Sequence, residues 1–310
     1  MSVTELPGAS AAPTGPAAEP SDVSDETPRA IAEHPDAPEM IIRPRKGWIG
    51  IDWQELWSHR ELMYFLVWRD VKVRYKQAAL GFAWAVFVPL LMVMIYTLIF
   101  GRAGGMKGYI PQGLPYSLFI FAGVIPWMMI SAGISTGGMS LVNQQNLLNK
   151  IYFPRLFIPA SVIGGGLVDM TISFCVFAGM MAFHGIAPQW TIVFIPPLIL
   201  LTMIAGLGLA MSLSAMTVTY RDVRFVIPFL VQILMLLSAV AFPSTVLKAY
   251  PWLRFGNPIA GIIDAFRAAI FRDWQLHVGH TIYSIAFVIV LFVWGLFYFR
   301  KTERRFADIT

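Results

Sequence analysis

Charged residues and cysteine are both scarce in this sequence. Charged side chains account for 13% of its 310 residues, about half of the ~25% typical of soluble domains. The single cysteine, Cys175, excludes an internal disulfide and any cysteine-based metal cluster. The phosphate-binding pattern G-x-x-x-x-G-K-S/T does not occur, because its nearest match, which starts at Gly101, has Met106 where the second glycine belongs. We therefore predict a chain that is not an enzyme and holds no metal, nucleotide or other cofactor of its own.

Long uncharged stretches fill much of the remaining sequence, of which 57% is hydrophobic. Residues 77–101 carry no charge, and these 25 residues are enough for a helix to cross a hydrocarbon core of ~30 Å. The pattern predicts an all-α integral membrane protein with six transmembrane helices. The predicted spans are 78–100, 115–138, 157–183, 190–214, 225–243 and 279–299.

The regions that flank the predicted transmembrane domain (78–300) differ in character. Residues 1–40 contain eight acids and one arginine, are rich in Pro and Ala, and are predicted to be a disordered cytoplasmic tail. Residues 41–77 predict an amphipathic helix at the membrane surface, with an apolar stripe of Leu62, Phe65, Leu66 and Val73. This helix is either a membrane anchor or a contact surface for a cytoplasmic partner. Residues 301–310 form a second predicted cytoplasmic tail.

The distribution of Lys and Arg predicts the orientation. With both termini in the cytoplasm, the inner segments hold 16 of these residues and the outer segments 6, as the positive-inside rule requires. The basic residues cluster beside the spans, so we expect contact with anionic membrane lipid rather than with nucleic acid.

Two cytoplasmic loops are candidates for contact with a partner protein. The segment Asn143–Arg155 has thirteen residues, more than a turn needs, and predicts a short projecting helix with apolar side chains available for a groove in another protein. A helix lying on the lipid surface is the alternative. In Val218–Arg224, Arg221 and Arg224 are three residues apart and can share a helix face. Local pairing with Asp222 explains this loop equally well.

Two further features involve charged groups near or within apolar stretches. Asp169 stands alone in the third predicted span, where a charge is costly and must face protein. We favour a helix-packing hydrogen bond over a proton relay or substrate contact, since no second intramembrane acid or base completes a relay. Residues 251–274 are too short and too charged to span and predict re-entrant or interfacial external helices, with Asp264 and Arg267 paired three residues apart.

Several stretches together resemble one family, the permease subunits of type-2 ABC exporters for polysaccharides such as O-antigen, capsule, teichoic acid and mycobacterial galactan. The resemblance extends over about residues 52–300. It is carried by RDVKVRYKQAALGFAW (69–84), FAGVIPW (121–127), NLLNKIYFPRLFIP (146–159), YRDVRFVIPF (220–229) and NPIAGIIDAFR (257–267).

The resemblance implies a homodimer with two copies of a separate ABC ATPase subunit, which would hold ATP and Mg. The complex would export an undecaprenyl-diphosphate-linked polysaccharide across the bacterial cytoplasmic (inner) membrane. An ABC drug or antibiotic efflux permease is the alternative. A membrane-embedded glycosyl- or acyltransferase would need clustered acids or a catalytic histidine at the interface, and the scattered histidines argue against it.

The resemblance also implies roles for individual residues. The interface helix contributes Arg69, Asp70, Lys72, Arg74, Tyr75 and Lys76. The ATPase-coupling residues are Asn146, Leu147, Lys150, Tyr152, Phe153, Arg155, Arg221, Asp222 and Arg224. The external helix carries Asp264 and Arg267. Aromatic rings within the spans suit stacking on sugar rings, and the candidates for a glycan channel are Trp84, Phe87, Tyr96, Phe100 and Trp127.

Overall fold

A computed structural model describes most of the chain beyond residue 52. The described residues are 53–76, 81–148, 153–249, 256–271, 274 and 276–303. The predicted tail 1–40 lies outside them, as do residues 41–52 of the predicted interface region and residues 304–310 of the predicted tail 301–310; residues 301–303 continue the last helix.

The described residues form helices and contain no strand. The α-helices, numbered α1 to α11 in chain order, are Trp53–Ser58, Arg60–Lys76, Ala83–Tyr96, Tyr116–Ala132, Ser140–Asn143, Gln145–Leu148, Phe157–Phe183, Ile195–Thr219, Val223–Leu237, Ile259–Ile270 and Val278–Glu303. A π-helical turn extends α3 over Thr97–Ala103 and another extends α4 over Gly133–Gly137. The 3₁₀ turns are Met106–Tyr109, Trp190–Phe194 and Ser244–Ala249.

Five helical segments of the described chain are long and apolar enough to cross a membrane. They are Ala83–Ala103, Tyr116–Gly137, Phe157–Phe183, Trp190–Thr219 and Val278–Glu303. The predicted class, an all-α integral membrane protein, is confirmed. The predicted fifth span, 225–243, corresponds to α9, which has only 15 residues and a length of about 22 Å. The count of six spans therefore stays a prediction.

The helix α9 ends where the backbone changes direction at Ser238 and Ala239. Ser238 donates its hydroxyl to the carbonyl of Leu234, and Ala239 adopts a positive φ of 54°. A non-glycine residue in this left-handed conformation stops a right-handed helix. The backbone carbonyls of Ala239 and Val240 accept hydrogen bonds from the side chain of Arg267 in α10.

The helix α4 lies at the centre of the bundle and contacts α3, α7, α8 and α10. Most of its side chains are buried, including Phe119, Phe121 and Trp127. Its π-helical extension touches α8 backbone to backbone, because a Cβ built on Gly133 would lie 2.5 Å from the carbonyl oxygen of Gly206. Only small residues permit this approach of two helices within a membrane.

The helix α2 lies along the first half of α7, and the two run in the same direction. Near the start of α7, Leu66 packs on Phe157 and Ile158. A Cβ on Gly164 would lie 2.6 Å from the side chain of Val67, so glycine allows the close contact. The predicted apolar stripe is divided, since Leu66 faces the bundle while Phe65 and Val73 are exposed on the surface of the chain.

Candidate coupling surface and transport path

One end of the bundle brings together the three segments predicted to meet a cytoplasmic partner. Arg69 of α2 donates to the side-chain oxygen of Gln144, between α5 and α6, over 2.9 Å. Thr217, near the end of α8, donates to the carbonyl of Gly138 over 2.8 Å. We call this region, formed by α2, residues 140–148, residues 153–155 and residues 218–224, the coupling end.

A polar network centred on Asp70 joins α2 to the other elements of the coupling end. One carboxylate oxygen of Asp70 accepts from Arg69 at 2.8 Å and 3.1 Å. The other accepts from the hydroxyl of Ser161 in α7 at 2.9 Å. Since Arg69 also bonds to Gln144, consecutive hydrogen bonds connect the residue between α5 and α6 to α2 and α7.

A second polar contact between α2 and α7 lies just over one turn further along α2 and about two turns further along α7. Arg74 and Tyr75 both donate to the carboxylate of Asp169. Burial, and then the hydrogen bond to this carboxylate, raises the pKa of Tyr75, so the phenol keeps its proton at neutral pH. The predicted packing hydrogen bond of Asp169 is confirmed. Its partners, which precede it by 95 and 94 residues, could not be found from spacing.

An apolar cluster supports this network from inside the bundle. It joins α2, α5, α7, α8 and α11, and Leu147 of α6 packs against it. The side chain of Phe153 belongs to this cluster and is buried, so it is committed to packing within the chain and cannot enter another protein. The members of the cluster are Leu66, Leu141, Phe153, Phe157, Ile158, Met211, Ala215 and Phe299.

The remaining predicted coupling residues occupy varied positions. Arg155 donates to the carbonyl of Glu303 at the end of α11 over 3.2 Å. Arg221 and Asp222 are exposed, whereas Arg224 is half-buried. The backbone of Asn146 lies in α6, while Lys150 and Tyr152 lie outside the described residues. On α2, Lys72 and Lys76 are exposed.

The opposite end of the bundle contains a fully buried arginine, Arg267 of α10. Its guanidinium donates to three backbone carbonyls, those of Phe119 at 3.3 Å, Ala239 at 2.9 Å and Val240 at 2.7 Å. Its Cζ atom also lies 3.7 Å from the centre of the Phe119 ring, a cation–π contact. Arg267 therefore binds α10 to α4 and to the chain just after α9.

Asp264 lies beside Arg267 and is also fully buried, with 3.7 Å between its carboxylate oxygen and the guanidinium. The predicted i, i+3 pair is therefore present. Neither carboxylate oxygen has a hydrogen-bond partner among the described residues. Burial raises the pKa of Asp264, while the neighbouring guanidinium of Arg267 lowers it by a smaller amount. Burial also lowers the pKa of Arg267 to about 10, so the guanidinium stays charged at neutral pH.

The five aromatic candidates for a glycan channel occupy three environments. Trp127 is 1% exposed, within the core around α4, and has no access to a channel surface in this arrangement. Trp84 and Phe87, near the start of α3, are 45% and 50% exposed. Tyr96 and Phe100, at the other end of α3, line a crevice of about 240 Å³ against α9 and the residues that follow it.

Comparison with known proteins identifies the chain's family. The sequence profile of the ABC-2 type transporter family matches residues 61–271, more than half of the chain. The chain belongs to this family. Residues 61–271 include almost all of α2, all of α10 and the coupling residues between them. The resemblance to an ABC exporter permease that the sequence predicted is thus confirmed.

Individual ABC-2 relatives are similar to the chain over most of its length. The O-antigen export system permease protein RfbA of Myxococcus xanthus is 27% identical over 259 residues, 82% of this chain and 97% of that relative. A Klebsiella pneumoniae protein of the same name is 27% identical over 251 residues, 80% of this chain and 95% of the relative. The polysialic acid transport protein KpsM of Escherichia coli is 24% identical over 240 residues, 76% and 91% of the two chains.

Proposed function

We propose that this chain is the permease subunit of an ATP-driven exporter that moves a lipid-linked polysaccharide, such as O-antigen on undecaprenyl diphosphate, across the bacterial inner membrane. Two copies of the permease would pair with two copies of an ABC ATPase subunit that supplies the nucleotide site, and both termini would lie in the cytoplasm. The relatives named above, which export O-antigen or transport polysialic acid, support a polysaccharide substrate.

The observation that carries this proposal is the hydrogen-bonded chain at the coupling end. A partner that closes on ATP and pushes on residues 145–152 would first displace Gln144 and, through their hydrogen bond, Arg69. The force would then reach Ser161 of α7 through Asp70. Such a coupling needs only two arrangements of the helices, each favoured by one state of the partner.

Two exposed helix surfaces support the proposed homodimer and its transport path. In the most apolar part of the α3 segment, Ala83–Ala103, only 11% of the residues are buried within their own chain, and α9 exposes Phe225 and Phe229. Tyr96 and Phe100 lie where these two surfaces meet. In a dimer joined through α3 and α9, these rings would face the path and stack on the C–H faces of sugars.

The proposal is tested by replacing Tyr152 with Asp in the predicted coupling segment. A charge in an apolar contact with the ATPase would weaken association by at least about tenfold. The measurement is co-purification of the ATPase subunit together with the amount of surface polysaccharide. The matched control is Trp190→Asp, because Trp190 is exposed and belongs to the connection between α7 and α8, at the opposite end of the bundle.

Normal ATPase association and export in Tyr152→Asp, with equal membrane levels of both variants, would contradict the coupling role. Deletion of the gene distinguishes a polysaccharide exporter from a drug-efflux permease. Loss of surface polysaccharide supports the proposal, whereas sensitivity to toxic compounds with intact polysaccharide indicates a drug-efflux permease.

A further inference from the structure

A basic crevice opens at the end of the bundle opposite to the coupling end. It lies in the connection between α3 and α4, and α4 with its π-helical extension separates it from Gly138 by roughly 33 Å. The crevice has a volume of about 590 Å³, within the range of small-molecule sites. It is lined by the end of α3, the 3₁₀ turn Met106–Tyr109, residues 110–115 and the first residues of α4.

The charged side chains that line this crevice are all basic. Arg102 and Lys107 line it, together with the polar side chains Thr97, Gln112 and Ser117, and none of its lining residues is acidic. The sequence contains no Asp or Glu from residue 71 to residue 168. Among the described residues, no carboxylate lies within salt-bridge distance of either cation. Both cations are exposed and can approach a ligand.

The backbone around these cations is shaped by residues that suit a fixed loop. The π-helical turn Thr97–Ala103 places Arg102 at the end of α3, and π-helical turns are frequent at functional sites. Gly105 and Gly113 adopt positive φ values of 63° and 86°, a conformation that glycine accepts without strain. The hydroxyl of Thr97 is buried and has no hydrogen-bond partner among the described residues, so a donor remains unused in the crevice wall.

We propose that this crevice binds a phosphate ester carried by a membrane lipid. Arg102 would form a two-pronged contact with phosphate oxygens, and Lys107 would act as a second, more mobile charge. The same chemistry suits a phospholipid headgroup or the diphosphate of a polyprenyl-linked glycan. The inference stands without the proposed export function, although an exporter would use such a site to hold the lipid end of its substrate.

The site is tested by measuring how well ligands protect Lys107 from an amine-acetylating reagent. The full-length protein is purified in maltoside detergent micelles, which contain no phosphate, and acetylation of Lys107 is quantified by peptide mass spectrometry. Undecaprenyl diphosphate and phosphatidylglycerol are the two phosphate ligands. Undecaprenol, which has the same chain as the first ligand but no phosphate, is the reference. We expect the phosphate ligands to protect Lys107 and undecaprenol to leave it reactive.

A pair of variants tests the geometry. Arg102→Gln should raise the ligand concentration for half-protection about tenfold, through loss of a charge-assisted contact. Arg60→Gln removes an exposed arginine of α2 and should leave it unchanged. Protection by both phosphate ligands supports a general site for lipid phosphate, and protection by undecaprenyl diphosphate alone supports a site for the carrier lipid. Protection that undecaprenol matches, or that Arg102→Gln does not weaken, overturns the inference. Export of polysaccharide is not needed for any of these outcomes.

Discussion

The two ends of the bundle use ion pairs in opposite ways. At the coupling end, Arg74 and Asp169 join two helices and keep 35% and 20% of their side-chain surfaces exposed. At the opposite end, Arg267 and Asp264 belong to one helix and expose 0% and 1%. The first arginine bonds to a side chain, whereas the second bonds to three backbone carbonyls.

This difference indicates which end can rearrange. A partly exposed pair between side chains is worth little, because water replaces its partners when the helices shift. A buried guanidinium has no such replacement, and separating it from its carbonyls leaves an unpaired charge. We conclude that α10, α4 and the end of α9 form a fixed unit, whereas α2 and α7 can move relative to one another.

The largest expected effect is that of Arg267→Met. The substitution preserves much of the apolar volume but removes every bond to residues 119, 239 and 240 and leaves the Asp264 carboxylate without a cation. We expect a loss of about 3–5 kcal/mol in the free energy of unfolding, measured as thermal unfolding of the purified protein in detergent. The control is Arg60→Met at an exposed position. An unchanged unfolding temperature for Arg267→Met would show that the opposite end is not held by this arginine.

The next effect in size is that of Asp169→Ala. It removes the acceptor of both Arg74 and Tyr75, but the arginine can reach water. We expect a loss of about 1–2 kcal/mol in the free energy of unfolding and a smaller loss at high salt, where the pair in the parent protein is screened. A loss as large as that of Arg267→Met would contradict the distinction between the two ends.

Asp264→Asn should lower the free energy of unfolding by less than about 1.5 kcal/mol, because Arg267 keeps its carbonyl partners. The sign of the pH dependence follows from the raised pKa of Asp264. The folded state holds this proton more tightly than the unfolded state, where the pKa is about 3.9, so stability falls as pH rises through the folded pKa. The asparagine variant should lack this decrease in thermal unfolding scans across pH. A decrease of equal size in both proteins would assign it to another group.

The smallest effect on stability is expected for Gln144→Ala. It removes one partly exposed hydrogen bond to Arg69 and should change the free energy of unfolding by less than about 1 kcal/mol. We expect this variant to lose export activity despite its small loss of stability, because the bond is the first link between the coupling segment and α2. Surface polysaccharide measured at equal protein level tests this difference, with Gln189→Ala, which removes a comparable partly exposed hydrogen bond from Thr191, as control. Full export in Gln144→Ala would remove this bond from the coupling route.

The sequence predicted the helices better than their contacts. The span 157–183 coincides with α7, because the charge and proline before it and the His184–Pro188 stretch after it mark both ends. The end of α9 was placed at residue 243 instead of Leu237. Nothing local predicts this, since Arg267 binds the carbonyls beyond α9 from 28 and 27 residues away.

Sequence periodicity also did not predict which of these residues are buried. The predicted pairing of Asp264 with Arg267 is confirmed, but their complete burial depends on α4, which lies over 100 residues earlier. Phe153 and Trp127 were grouped with residues that meet a partner or a substrate. The structure buries both in the bundle, because the apolar character that suggests a contact surface equally suits a core.

The most direct test of the account is reconstitution of the permease in liposomes with and without its ATPase subunit. Transfer of an undecaprenyl-diphosphate-linked glycan to the opposite leaflet is measured with an enzyme that modifies the glycan only on that side. The account predicts transfer only when both subunits and ATP are present. Glycan transfer or ATP hydrolysis by the permease alone would contradict it.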